Sequence, residues 1–332
     1  MQKRITSGYC ACLAIALVAT AACSNASDTS PSGPEKPGNP PGGHKKSASI
    51  GTLHPAAHGA GVASPFDATP DPNGKNVFFT AIGTHGPGVF KVSAAGGPIS
   101  EIYAGAPFVS PFSIAISTDG SNLFVADLGA ASAKKDRGAI FSLSVGGGTP
   151  TDIASADGML PHGLEVSGDT LYFTGVSTQG APGVFKMGIG GGAVSAIATG
   201  APFIEPSGVA VASNGDLYVV DTVSTSPLAS RILKVKSSGS ASVYLDGIAV
   251  GFPAGIVFNQ SESTLLVSAR DTAKGTDAVL VIDVASGELS EFSTGIDKFV
   301  EPAGLHRAHG ADVFAWADST ADKLGTVYVI TK

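Results

Sequence analysis

The sequence predicts an all-β chain folded as a six-bladed β-propeller with four-stranded antiparallel blades, and three observations carry that expectation. A proline opens a short apolar run six times, at Pro65, Pro111, Pro161, Pro206, Pro253 and Pro302, at intervals of 46, 50, 45, 47 and 49 residues. A unit of that length made only of short strands cannot bury its apolar face alone, so copies must stack around an axis. The units are also internally related: PGVFKVSAAGGPISEIYAGAPF from Pro87 recurs two units later as PGVFKMGIGGGAVSAIATGAPF from Pro182. Finally, no window sustains a 3.6-residue apolar period with caps. Short runs rich in β-branched and aromatic residues, punctuated by Gly, Asn, Asp and Ser, dominate instead.

Each unit reads as four strands, clearest in the fourth: Pro206-Ser-Gly-Val-Ala-Val, Asp216-Leu-Tyr-Val-Val-Asp221, Arg231-Ile-Leu-Lys-Val and Ala241-Ser-Val-Tyr-Leu245. The second runs place large apolar residues side by side, as in Val77-Phe78-Phe79, Leu123-Phe124-Val125, Leu171-Tyr172-Phe173 and Leu265-Leu266-Val267. Adjacent apolar side chains point to opposite faces of a strand, so both faces are buried, as a blade between two neighbours requires. The sixth unit stops after its third strand, Val327-Tyr-Val-Ile330. A segment at about 49–53 is expected to supply the missing fourth strand and close the ring, which removes an exposed edge.

The N-terminal region divides into a leader, 1–22, and a Pro/Gly/Ser-rich tether, 23–48, ahead of the propeller at 49–332. Lys3 and Arg4 precede the apolar stretch Cys10 to Val18, and small residues follow, the pattern of a secretory leader. The three cysteines are Cys10, Cys12 and Cys23, so no disulfide holds the propeller together. Thr20-Ala21-Ala22-Cys23 resembles a bacterial lipobox, with Thr20 where Leu or Val usually stands. The resemblance implies lipidation of Cys23 and an extracytoplasmic, membrane-anchored protein; Ser24 implies outer-membrane sorting where the host has two membranes. The alternative is cleavage at Ala19 to Ala21 and release of a soluble protein. The tether lacks the apolar side chains that would offset the entropy of ordering it, so it is expected to be a disordered spacer.

The formal charge is −7, and basic residues never cluster beyond Lys45-Lys46 and Lys134-Lys135. Nucleic acid is thereby excluded as a partner, since its binding requires a basic face to displace counterions.

The pattern Pro-x-Gly-Val-Ala-Val followed by Gly-Asp-Leu-Tyr-Val-Val-Asp at 206–221 resembles the NHL repeat, and more widely the six-bladed superfamily that includes gluconolactonase. This resemblance spans roughly 49–332 and implies the fold more firmly than any chemistry. In gluconolactonase-like enzymes it implies a divalent cation held in the central channel by Glu, Asn and Asp, several just before the glycine of an inner strand. Here those positions are Phe66, Phe112, His162, Ser207, Ala254 and Ala303, which are poor ligands for a hard cation. Pro161-His162-Gly163 matches the histidine of zinc lyases in the same superfamily, but one histidine is too few.

The loops leading into the first strands and those joining second to third strands share one face, which is the expected ligand-binding face. It carries His162, Glu205 and Glu301, with Asp127, Asp221, Asp271 and Asp318 at the ends of second strands. Each such Asp has an alternative use, accepting backbone N–H bonds in its own turn. His162, Glu205 and Ser207 are weak catalytic candidates, as an imidazole beside a carboxylate and a hydroxyl. Glu165 and His306, at the fifth position of inner strands 3 and 6, are expected to lie on opposite sides of the ring without pairing. Trp316 and Phe314 are expected in the core at blade 6. The expected function is a membrane-anchored binding module for a protein or a small polar ligand. The alternative is a metal-dependent hydrolase with a rearranged channel site using Asp67, Glu205, Glu301 and His162.

Overall fold

Six short antiparallel sheets follow one another in chain order, and each takes its strands from one of the repeated units. The computed structural model describes residues 45–46, 50–59, 61–130, 138–225, 228–271, 276–292 and 302–332, all within the unit His44–Lys332. Blade 1 has its inner strand in two pieces, Val62–Ala63 and Ala68–Pro70, then Asn76–Gly83, Gly86–Ser93 and Ser100–Ala104. Blade 2 runs Pro111–Ile116, Asn122–Asp127, Ala139–Ser144 and Thr151–Asp152, and blade 3 Leu160–Ser167, Thr170–Val176, Pro182–Gly188 and Gly191–Thr199. Blade 4 runs Glu205–Val211, Leu217–Thr225, Leu228–Val235 and Ala241–Ile248, and blade 5 Gly255–Phe258, Thr264–Asp271, Thr276–Asp283 and Leu289–Phe292. Blade 6 joins Pro302–Arg307, Val313–Asp318 and Thr326–Thr331 to the N-terminal strand Thr52–His58.

The ring closes as expected, but through a strand displaced toward the C-terminus from 49–53. Thr52 pairs with Thr331, Leu53 with Ile330 and His58 with Thr326, with a bulge between Pro55 and Ala57. The reason is packing: Ala56 and Ala57 are buried in the cluster between blades 6 and 1, with Phe79, Ala317 and Val329. Their small side chains fit a tight interface that larger residues would overfill, and Pro55 is tolerated because this is the outermost strand of its sheet. The tether contributes as well. Lys45–Lys46 pairs in parallel with Ser290 and Glu291 on the outer strand of blade 5, so these two residues belong to the propeller's edge. The rest of the leader and tether lies outside the described residues.

The prolines are explained by where they stand. Inner strands are blade edges, and the register slips between Pro161 and Leu164, Pro206 and Val209, and Pro111 and Ser113. A bulge on an edge strand has no ladder hydrogen bond for proline to remove. In two blades the second and third strands run on into their hairpin: in blade 4 pairing extends to Thr225 with Leu228, and in blade 5 to Asp271 with Thr276.

Cores form between blades. Trp316 and Phe314 are fully buried with Tyr328 against Val257, Leu266 and Val279 of blade 5, and the Trp316 and Tyr328 rings stack at 5.6 Å. Truncating Trp316 removes contacts on both sides of the interface between blades 5 and 6. Trp316→Ala is expected to lower the unfolding free energy by about 3–5 kcal/mol, read by denaturant titration followed by circular dichroism. A loss below about 1 kcal/mol, the size of an ordinary surface substitution, would contradict the interface described.

Candidate functional site: the central channel and its proline-bearing mouth

The inner strands approach one another around the axis more closely than side chains allow. A Cβ on Gly163 would lie 2.3 Å from the Ser207 carbonyl oxygen, and one on Gly208 would lie 2.7 Å from that of Ala254. One on Gly255 would lie 2.1 Å from the Gly304 carbonyl carbon. Each glycine therefore admits the backbone of the next blade. Blades 1 and 2 carry Asp67 and Ser113 at the same position, and there side chains make the junction. Asp67 Oδ2 accepts from the Ser113 hydroxyl (2.7 Å) and the Ile114 N–H (2.9 Å), while Oδ1 accepts from the Ala68 N–H (2.7 Å). Ser113 Oγ in turn accepts from the Leu164 N–H of blade 3 at 3.3 Å. Gly304, at φ +65°, completes the set: a Cβ there would lie 1.5 Å from Asp67 Oδ1.

One layer deeper, His306 donates from Nε2 to Asp67 Oδ2 at 3.1 Å and from Nδ1 to Glu165 Oε2 at 3.2 Å. This corrects the expectation that Glu165 and His306 cannot pair. Their counterparts at that position, Thr69, Ala115, Ala210 and Val257, are shorter and buried, and the two long side chains span the pore from blades 3 and 6. Burial works against a charge on His306, but the attraction and hydrogen bond of Asp67, then those of Glu165, overcome it and hold the imidazole's pKa up to about 10. It is an imidazolium at neutral pH. As such it is a strut and not a base, because no lone pair remains to accept a proton.

The described residues of the mouth do not form a hydrolase's metal site. Phe66, Phe112 and Phe252 pack together, with Phe112 at 6.2 Å from Phe66 and 6.3 Å from Phe252, and His162 stands edge-on to Phe252 at 5.4 Å. His162 donates from Nδ1 to the Pro206 carbonyl at 2.7 Å; burial holds its pKa below the usual value, against the pull of that carbonyl, so it is neutral where His306 is charged. The Ser207 hydroxyl donates to the Ala254 carbonyl at 3.0 Å, so none of its bonds joins it to His162. The Asp67 and Glu165 carboxylates sit on opposite nitrogens of His306 and do not converge on a point. Divalent cations require several oxygens aimed at one centre, and among the described residues no such set exists. The channel cavity lined by Asp67, Ser113, His162, Leu164, Ser207 and His306 measures about 20 Å³, room for about one water.

The carboxylates at the ends of second strands are buried and work within their blades. Asp127 accepts from the N–H groups of Val109 (2.8 Å), Ser110 (2.9 Å) and Gly129 (2.9 Å). Asp221 accepts from Ile204 and Glu205 (both 2.9 Å) and pairs with Arg231, whose Nη2 lies 2.9 Å away. Asp318 holds its own turn through Thr320 and Ala321. The Asp271 side chain and all of Glu301 and Cys23 lie outside the described residues. Glu205 is half-buried, and burial followed by the Asp221 charge raises its carboxyl pKa.

Sequence reasoning missed Val109 and Ile204. Asp127 and Asp221 clamp the two N–H groups before Pro111 and Pro206 in the same manner, which leaves these side chains 59% and 56% exposed at matching positions of blades 2 and 4. The available signal was an aliphatic residue two places before the proline, with Asp closing the second strand of the same unit.

No family model matches the chain, and no curated protein matches it. The fold, a six-bladed β-propeller, is shared with solved structures. A chain of the nidogen/laminin complex superposes with a TM-score of 0.58 at 18% identity, covering 74% of this chain and 84% of that one. The luciferin-regenerating enzyme gives 0.57 at 10% identity, covering 85% and 95%. A chain assigned as TolB from Agrobacterium tumefaciens gives 0.55 at 19% identity, covering 81% and 89%. At these identities the likeness is one of fold.

The charged strut makes stability depend on pH. The pKa of His306 is raised in the folded state, from 6.5 to about 10, so its stabilisation is complete below pH 6.5 and is lost as pH rises through about 10. Denaturant titrations of the wild type are expected to show unfolding free energy declining across that window. His306→Gln should be less stable at pH 6.5 and should lack this component of the decline. An unchanged slope in the variant would show that His306 carries no extra proton when folded.

Proposed function

We propose that this chain is a tethered extracytoplasmic binding module that recognises a protein or a small polar ligand through its proline-bearing face, in the manner suggested by its NHL-like blade pattern. One observation carries the reading: the two faces differ in kind. Ile82, Val109, Ile204 and Leu324, four of the five large hydrophobic residues exposed among the described residues, belong to loops and hairpin ends of the proline-bearing face. The opposite face is made of hairpin turns whose polar groups bond among themselves, such as Ser117, Asp119 and Ser121 in blade 2 and Asn259, Ser261 and Ser263 in blade 5. Exposed apolar side chains concentrated on one face of a polar molecule favour that face as the interaction surface. Glu205 stands on this face, and Glu301, just before Pro302, belongs to it by sequence.

The anchor is part of the same proposal. Lipidation at Cys23 followed by the tether would hold the propeller at a membrane surface, in the outer membrane where the host has two. Cys23→Ala is expected to shift the protein from the membrane fraction to the soluble fraction on carbonate extraction, and unchanged fractionation would sink the anchor.

Binding is tested by exchange of charge for the apolar residues. Immobilised wild type should retain a specific extracytoplasmic component that Val109→Asp with Ile204→Asp loses, while Asn214→Asp on the opposite face keeps it. Equal retention by all three would mean that the proline-bearing face is not the recognition surface.

A further inference from the structure

Resting on that reading, the structure identifies the class of partner. We infer that the proline-bearing face binds a protein segment that presents a lysine or arginine beside bulky apolar side chains, the cation meeting Glu205 and the apolar groups covering Val109, Ile204 and the phenyl rings at the channel mouth.

The size of the site decides between a macromolecule and a small ligand. Small-molecule sites are concavities of roughly 300–1,000 Å³, whereas the cavity under the mouth measures about 20 Å³. Phe66, Phe112 and Phe252 close the channel and leave partly exposed rings in the face itself. On this face a ligand is therefore met by a surface and not by a pocket.

The apolar part of that surface is held in place before anything binds. Val109 and Ile204 are each fixed by a buried carboxylate that grips their own N–H and that of the following residue. The rings pack on one another and on His162, which the Pro206 carbonyl holds. Groups already ordered lose little entropy on docking, which is the property of residues that anchor an interface.

Charge selects the partner. Asp221 is balanced by Arg231 and two N–H groups, but the Glu205 carboxylate accepts no hydrogen bond and meets no cation among the described residues. A purely apolar partner would leave that anion buried and unpaired, which is costly, whereas a basic side chain at the same place removes the penalty. The chain's formal charge of −7 favours encounter with a basic partner and opposes an anionic lipid surface.

The test uses a randomised dodecapeptide display library panned on the full folded protein, on Glu205→Gln and on Val109→Ser with Ile204→Ser, each confirmed folded by its melting curve. Sequences enriched on the wild type should share a Lys or Arg next to Leu, Phe or Trp. The best of them should bind Glu205→Gln about ten-fold more weakly, a loss of about 1.4 kcal/mol, and panning on Glu205→Gln should no longer select the basic residue. The serine pair should enrich no common motif. A shared apolar motif without a basic residue, lost in the serine pair, would overturn the partner chemistry and leave the face intact. Enrichment indifferent to all three substitutions, or none on the wild type, would overturn both. Sedimentation with phosphatidylglycerol vesicles in place of peptide selection would assign the face to a membrane.

Discussion

The close approach of six inner strands around one axis is the constraint from which the rest of this molecule follows. At Gly163, Gly208 and Gly255 backbone meets backbone, and at Gly304 backbone meets the Asp67 carboxylate, with no room for a Cβ. In blades 3, 4 and 6 a register slip at Pro-x-Gly accompanies that contact, and proline fits there because the edge strand has no ladder bond to lose. The repeat visible in the sequence is therefore the repeat of a steric requirement. Blades 1 and 2 break the pattern with Asp67 and Ser113, and the structure shows why they can: their side chains bridge to the next inner strand where glycine elsewhere admits it.

Replacing glycine by aspartate at the axis brings a buried charge, and the charge must be met. His306 from blade 6 and Glu165 from blade 3 meet it, so one cluster of side chains ties four blades together through Asp67, Ser113, Glu165 and His306. The contrast with His162 shows that environment decides protonation. His162 has a carbonyl and two phenyl rings for neighbours and stays neutral; His306 has two carboxylates and stays charged. Both are buried to the same degree, at 6% exposure, so desolvation alone does not separate them.

Fold was legible because it rests on period and alternation, which survive in a single sequence. Blade number, blade order and ring closure all follow from the spacing of Pro65 to Pro302 and the unpaired final strand. The closing strand's continuation past Leu53 was hidden because Pro55, Ala56 and Ala57 have the composition of a turn, and only the tight interface they fill makes them a strand. The pairing of Glu165 with His306 was illegible for a different reason. Six-fold geometry sets the positions of their Cα atoms, but whether two side chains cross a pore depends on its width, and that follows from the glycine contacts and the small residues at the same level. Asp127 and Asp221 could be assigned from sequence to a face or to a turn; that they grip the loop before the proline, and so thrust Val109 and Ile204 outward, is a tertiary fact.

These observations together are the grounds for proposing the rim as the recognition surface. A propeller channel lined by convergent oxygens can take a cation and a small substrate. In this chain the oxygens at the axis are consumed by neighbouring N–H groups, a serine hydroxyl and an imidazolium, and the positions above them are phenyl rings. Filling the channel stiffens the ring, because every inner strand is tied to its neighbours by backbone contact or by charge. A rigid scaffold with a sealed centre leaves only its loops to discriminate between partners. On this face those loops are themselves braced by buried carboxylates, so Val109 and Ile204 are presented by hydrogen bonds from their own N–H groups. Aspartates that serve the fold of blades 2 and 4 thus also set the shape of the surface these loops present.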